Sequence, residues 1–208
     1  KLQEQSIGDF VSLDDSHAKA AEIDAKLNRA DSALQFLERY DPAREPLFKT
    51  RRLISANDLK NFDREQAERY VDEVLALEEK LRDTNDKINK LDQEETLIKP
   101  WIGYATPLEM KGTHKTIIHE GVVPTTVDMT EIINELEGIG GIVVKLINAD
   151  KDLNYVAFIC LRSKEEEIMS LLKQKGFSEV YFRHLKGTVA ENVERIKKEK
   201  EELFAKVK

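Results

Sequence analysis

SANDLKNFDREQAERYVDEVLALEEKLRDTNDKINKLDQEETLI, Ser55 to Ile98, is the stretch whose reading decides the fold. Every seventh residue from Ala67 gives Ala67, Val74, Leu81 and Ile88. Tyr70, Leu77, Leu91 and Ile98 occupy the companion positions, with Thr84 as the one polar interruption. This is a heptad seam, apolar at a and d, in an otherwise strongly charged sequence. Ser55 followed by Asp58 has the form of an N-terminal cap, and Pro100 stops the run, so the spacing predicts one helix over Ser55 to Ile98. At 1.5 Å per residue it spans ~65 Å. A helix so long and so charged has no core of its own, and its seam needs a partner.

Upstream, Lys1 to Leu13 has no clear period. A second heptad seam, Ala20, Ile23, Leu27, Ala30, Leu34 and Leu37, predicts a helix over Asp15 to Tyr40 whose direction the sequence does not reveal. Pro42 and Pro46 make Asp41 to Ile54 a connector. Downstream, Pro100 to Gly112 carries Trp101, Ile102, Tyr104, Pro107 and Leu108 in irregular spacing, a strap packed against whatever follows.

From Thr113 the period changes from seven to two. Thr116 to Val123 reads as a strand. Asp128 caps a helix bearing Met129, Ile132, Ile133 and Leu136, with Glu131 completing the capping pattern and Gly138, Gly140 and Gly141 ending it. Ile142 to Asn148 and Leu153 to Leu161 are strands separated by a polar turn. Ser163 with Glu166 caps a second helix that stops at Gly176, and Ser178 to Phe182 is a last short strand. The order β-α-β-β-α-β is the ferredoxin-like arrangement, with a four-stranded antiparallel sheet and both helices on one face. Thr188 and Glu191 then open a helix with Val189, Val193, Ile196, Leu203 and Val207 at helical spacing and Lys200 in the gap. That returning helix is the expected antiparallel partner of the long one. The fold class is therefore α+β: a long antiparallel coiled coil carrying a ferredoxin-like lobe. Its divisions are 1–54 (helix and connector), 55–99 (long helix), 100–185 (lobe) and 186–208 (returning helix).

Of the 208 residues, 35% are charged and only 7% aromatic, a balance suited to exposed helices. The net charge is −7, and no basic stripe with interleaved aromatics exists, so nucleic acid is not an expected partner. Cys160 is the only cysteine, which excludes an internal disulfide and fits a reducing compartment. No apolar run approaches the ~20 residues of a membrane span. The chain starts at Lys1 and ends in heptad-like sequence at Lys208, which reads as a piece of a longer protein.

The cluster Gly138-Ile139-Gly140-Gly141 follows a helix and precedes a strand, the reverse of a phosphate loop, and reads as a helix C-cap. His114 and His119 have opposite parity on an extended strand and lack neighbouring ligands at metal spacing. Cys160 lies within an apolar strand, where it packs as a small hydrophobe. No nucleophile, base and orienting group come together, so no catalytic residue, cofactor or metal is expected. One strand is unusual. Leu153 to Leu161 is apolar at both parities from Tyr155 onward, whereas a sheet with helices on one face alternates to polar on the other. Its second face is therefore covered, by the strap or by a partner protein. The candidate partner-binding residues there are Trp101, Tyr104, Tyr155 and Phe158.

Three sequence words have a family likeness: Pro100-Trp101-Ile102-Gly103-Tyr104-Ala105-Thr106-Pro107-Leu108, Glu120-Gly121-Val122-Val123-Pro124, and Lys175-Gly176-Phe177 leading to Lys186-Gly187-Thr188. In order and spacing, from about Ser55 to Lys208, they resemble the cytoplasmic half of subunit I of the rotary V-type/A-type ATPases, the counterpart of the eukaryotic subunit a. The first fifty residues resemble it only loosely. The resemblance implies the distal lobe and coiled coil of a stator arm on the cytoplasmic face of the membrane, catalytically inert by itself. It also implies docking to peripheral-stalk subunits E and G, resistance to rotor torque, and attachment to the membrane only through a C-terminal half absent from this chain. That half forms the ion channel in the family, so no residue for proton or sodium transport carries over. The contrasting reading is an amino-acid-sensing module of the ACT type, which shares the β-α-β-β-α-β order. A plain coiled-coil scaffold, which would self-associate through its seams, is a third.

Overall fold

A computed structural model describes residues 2–40 and 54–207. The expected connector Asp41 to Ile54 lies, but for Ile54, outside the described residues. The chain divides into two compact units, Lys1–Asn85 and Asp86–Lys208.

In the first unit, helix α1 runs Leu2–Tyr40 and so begins well before the expected Asp15. Lys1 to Leu13 contains no Pro and a single Gly8, so nothing in it breaks a helix that the later seam propagates. The single helix expected from Ser55 is interrupted. A short α2, Ala56–Lys60, precedes α3, Arg64–Ile98. Ser55 and Asp58 do form a reciprocal capping box, but they cap α2. A second cap follows at Asp63, whose carboxylate accepts from the Gln66 amide at 3.0 Å. A short acidic side chain that can bond nearby amides favours a new helix start over continuation.

α1 and α3 run parallel in this unit, because their ion pairs advance together: Lys26–Glu68, Arg29–Asp72 and Arg39–Glu78. Within residues 17–40 of α1, Ala33 and Phe36 are buried, and Ala67, Val71, Val74 and Glu78 are half-buried on α3. The expected seams are thus rotated. Tyr70 and Leu77 are each 58% exposed, as are Leu27 and Leu34 on α1. Ala33 and Phe36 lie on the stripe of α1 that faces α3, and the ion pairs run along its margin.

In the second unit α3 buries Ile88, Leu91 and Ile98. Its α-helix ends at Ile98, and a 3₁₀ turn, Lys99–Trp101, takes Pro100 at its start. Strand β1 is Thr116–Pro124, α4 Met129–Ile139, β2 Ile142–Ala149, β3 Leu153–Leu161, α5 Glu165–Gln174, β4 Ser178–Glu179 and α6 Val189–Val207. All strand pairs are antiparallel, in the order β2-β3-β1-β4, the expected ferredoxin-like sheet.

Asp128 caps α4 through the Thr130 amide at 2.8 Å, but Glu131 makes an ion pair at 2.8 Å with Lys175, the C-cap residue of α5. Ser163 does not cap α5. It lies in a 3₁₀ turn, Arg162–Lys164, and no side chain caps the helix. β4 keeps only two of its five expected residues. After Val180 the chain turns away, with His184 at φ 68, which carries Phe182 and Leu185 inward.

Two cores lie on the two sheet faces. Val156, Phe158 and Cys160 of β3 point at α4 and α5 and pack with Ile132, Leu136, Ile168 and Leu172. Tyr155 and Ala157 point the other way, where Trp101, Tyr104, Leu108, Phe182, Leu185, Val189 and Ile196 form the second core. Both parities of β3 are therefore apolar because both faces are covered. The strap supplies part of the cover, and α6 with the segment after β4 the rest. The cover stops short of Val143 (62% exposed), Ile159 and Leu161.

α6 and the end of α3 pair antiparallel as expected: Glu94 meets Arg195 at 2.8 Å and Asp92 meets Lys200 at 2.6 Å. The Thr188–Glu191 capping box forms reciprocally, at 2.7 and 3.3 Å.

Candidate functional site

The three sequence words converge in the lobe, and each depends on another for its conformation. Gly121 is one residue of β1 over which the Phe177 ring lies. A Cβ at Gly121 would overlap Cε2 and Cζ of that ring and the Ser178 carbonyl. Next to it, Gly176 at φ +83 packs against Pro124. The glycine-valine-valine-proline word and the glycine-phenylalanine word are two sides of one contact, where β1 passes the start of β4.

The strap word meets the word that opens α6. The Leu108 amide donates to the Gly187 carbonyl at 2.9 Å, and the Gly187 amide donates to the Glu109 carboxylate at 2.8 Å. Trp101 lies at the centre of this region, edge-on to Tyr104, Tyr155 and Phe182 with ring centroids 5.1 to 6.0 Å apart. The end of β2 is tied to the same place, since the Asn148 side-chain amide donates to the Pro100 carbonyl at 3.0 Å.

Of the four sequence-derived candidates, Trp101 and Tyr104 are buried in this second core, and Phe158 is buried on the helix face against Phe177. Tyr155 is half-buried, and its hydroxyl donates to Asp150 at 2.7 Å. They shape the lobe from within.

Two buried polar groups of β1 were not legible in the sequence. Glu120 points into the strap face and accepts from the Tyr104 hydroxyl at 3.2 Å and the Lys111 ammonium at 2.9 Å. Burial and the Glu120 charge push the Tyr104 phenol up to about 12. His119 is buried on the helix face. Its Nδ1 lies 2.6 Å from Glu179, while Nε2 is 3.3 Å from Glu165 but outside hydrogen-bonding geometry. Burial pushes the Glu179 carboxyl up, but hydrogen bonds from His119 and Tyr181 outweigh it, so the group lies below its usual range. Their only sequence signal is position: both residues sit in a strand otherwise rich in Ile and Val, and their partners are distant in sequence. Among the described residues, no three His, Cys, Asp or Glu side chains are placed to hold a metal, and no helix is long and apolar enough to cross a membrane.

The geometry defines a class: a ferredoxin-like α+β lobe, covered on both sheet faces, rooted in an antiparallel helix pair. No protein-family profile matches the chain, and no curated protein matches it by sequence. By structure it is similar to the cytoplasmic N-terminal domain of subunit I, homolog of subunit a, of V-ATPase, with a TM-score of 0.52 and 12% identity. The alignment covers 88% of this chain and 60% of that one, so the likeness is one of fold and this chain accounts for part of that domain's length.

Proposed function

We propose that this chain is the cytoplasmic arm of a rotary-ATPase stator subunit, the subunit I/subunit a type, and that its lobe docks the peripheral stalk of subunits E and G. The observation that carries the reading is the shared fold over 88% of the chain, from a structure whose sequence identity is only 12%. The three interlocking words support it, because each fixes a backbone contact that the fold needs. A stator arm has no chemistry to perform. It has to transmit force, and a lobe whose second core joins its sheet to α3 and α6 suits that task. The open end of the sheet, with Val143, Ile159 and Leu161 partly exposed side by side, is the surface of the lobe we assign to the stalk.

Titration of this chain with a purified E–G heterodimer tests the reading. Binding tighter than ~100 μM, about −5.5 kcal/mol, is expected, with loss on Val143→Asp. Absence of binding at that concentration would argue against it. A thermal melt against a panel of amino acids separates the sensor alternative, which requires a shift of several degrees.

A further inference from the structure

The buried His119 of β1 is held on one side only. Its Nδ1 lies 2.6 Å from the Glu179 carboxylate of β4, and an ionised carboxylate can only accept, so Nδ1 carries the hydrogen and donates it. Nε2 is left with a lone pair. It is buried, makes no hydrogen bond, and faces Oε1 of Glu165 at 3.3 Å. Two acceptors at that separation have no hydrogen to share, and a buried acceptor without a donor is costly. One proton removes the fault, because an imidazolium donates from both nitrogens.

The charges around the ring favour that proton. From α5 and the turn before it, Glu165, Glu166, Lys173 and Arg162 line a cleft beside His119. Lys173 and Arg162 are exposed, so solvent screens them, and the Arg162 Nε is taken up by the Thr113 carbonyl at 3.0 Å. From β3, Cys160 stays a neutral thiol, since burial and the Glu165 charge push it up. From β4, Glu179 also accepts from the Tyr181 hydroxyl at 2.7 Å and lies below its usual range, so it stays ionised while the imidazole takes up a proton. The charges nearest the ring are negative. Glu165 is the first residue of α5, a helix that no side chain caps, and its side chain is partly exposed and can turn onto Nε2 without moving the helix.

We propose that His119 is a proton-operated latch: when protonated, its Nε2–H closes onto Glu165 while Nδ1–H keeps Glu179, tying the start of α5 to β1 and β4. The step takes one proton from solvent and breaks no covalent bond. The latch needs the imidazolium together with ionised glutamates. It therefore adds stability as pH falls from about 8 to 5, the interval in which histidine changes charge, and loses it again only where the glutamates take up protons. The latch does not rest on stalk docking, which uses other residues of the lobe.

Long-range proton–nitrogen NMR spectra of the full chain test it, with His119 identified by the signal missing from His119→Gln. At about pH 8 the ring should be the Nδ1–H tautomer, and at about pH 5.5 Nε2 should be protonated in the folded chain. Thermal melts should show the wild type gaining several degrees over Glu165→Gln between those two pH values. Glu167→Gln, in the same first turn but paired with Lys164, should show no such gain. An Nε2–H tautomer at the higher pH, an Nε2 still unprotonated at the lower one, a gap to Glu165→Gln that does not change with pH, or an equal gain over Glu167→Gln would each overturn the proposal. If Glu165→Gln misfolds, the NMR spectra of the wild type decide.

Discussion

Phe177 lies over Gly121, so closely that the β1 backbone has no room for a side chain at that position. This one contact joins two short words some fifty residues apart and explains why each contains its glycine or its aromatic. Gly121→Ala should destabilise the second unit by about 1–3 kcal/mol, the usual cost of overpacking. Phe177→Leu in the same chain should recover part of that loss. A double-mutant cycle by urea denaturation measures the coupling.

Tyr104 should make the fold sensitive to alkaline pH. Its folded value of about 12 lies above the unfolded value of 10.0, so the neutral phenol is the form the fold favours. The contribution is complete below pH 10, falls as pH rises through the folded value, and totals about 2–3 kcal/mol. Urea midpoints at pH 9 and pH 11.5 should differ more in the wild type than in Tyr104→Phe. Equal differences would show that lysine titration alone accounts for the trend.

Lys200 fills the gap in the α6 seam by reaching Asp92 at 2.6 Å and Glu95 at 2.8 Å. Lys200→Ala should lower stability by about 0.5–1 kcal/mol, and the loss should shrink in 1 M salt, where the Debye length falls to about 3 Å. A loss independent of salt would indicate that the alkyl stem, packed along the helix pair, is the larger contribution.

Leu81→Pro falls within the first unit, whose boundary is at Asn85. It removes a helical hydrogen bond and clashes with the preceding turn, at ~3 kcal/mol or more. Helical ellipticity should drop while Trp101, the single tryptophan and buried in the second unit, keeps its blue-shifted emission. Simultaneous loss of both signals would show that the two units unfold as one.

The lobe was legible because its signals are local. Period-two strands, the Asp128 and Thr188 caps and the glycine stops each depend on a few neighbouring residues, and β3 was bounded to the residue. The two-sided cover of β3 was readable for the same reason, from its run of apolar residues, and it holds at Tyr155 and Ala157 but not at Ile159 and Leu161. What failed was whatever depends on rotation about a helix axis. Tyr70 and Leu77 satisfy a heptad as well as Val71 and Glu78 satisfy the stripe actually used, and only a partner's position chooses between them. The break at Asn61 to Asp63 was hidden because a continuous helix and two capped helices differ there by a single competing side chain. Trp101, Tyr104 and Phe158, candidate partner-binding residues by sequence, are buried in the lobe, because sequence gives an aromatic's presence and not the direction in which it points.

Trp101 sits where α3 gives way to the sheet, gripped edge-on by rings from the strap, from β3 and from the segment after β4. A joint built this way has no loose turn to swivel on. To tilt the lobe on its root, the indole must slide out from between three rings, exposing aromatic surface to water as it goes. The resistance therefore rises from the first small displacement. The connection is a packed aromatic joint and not a hinge.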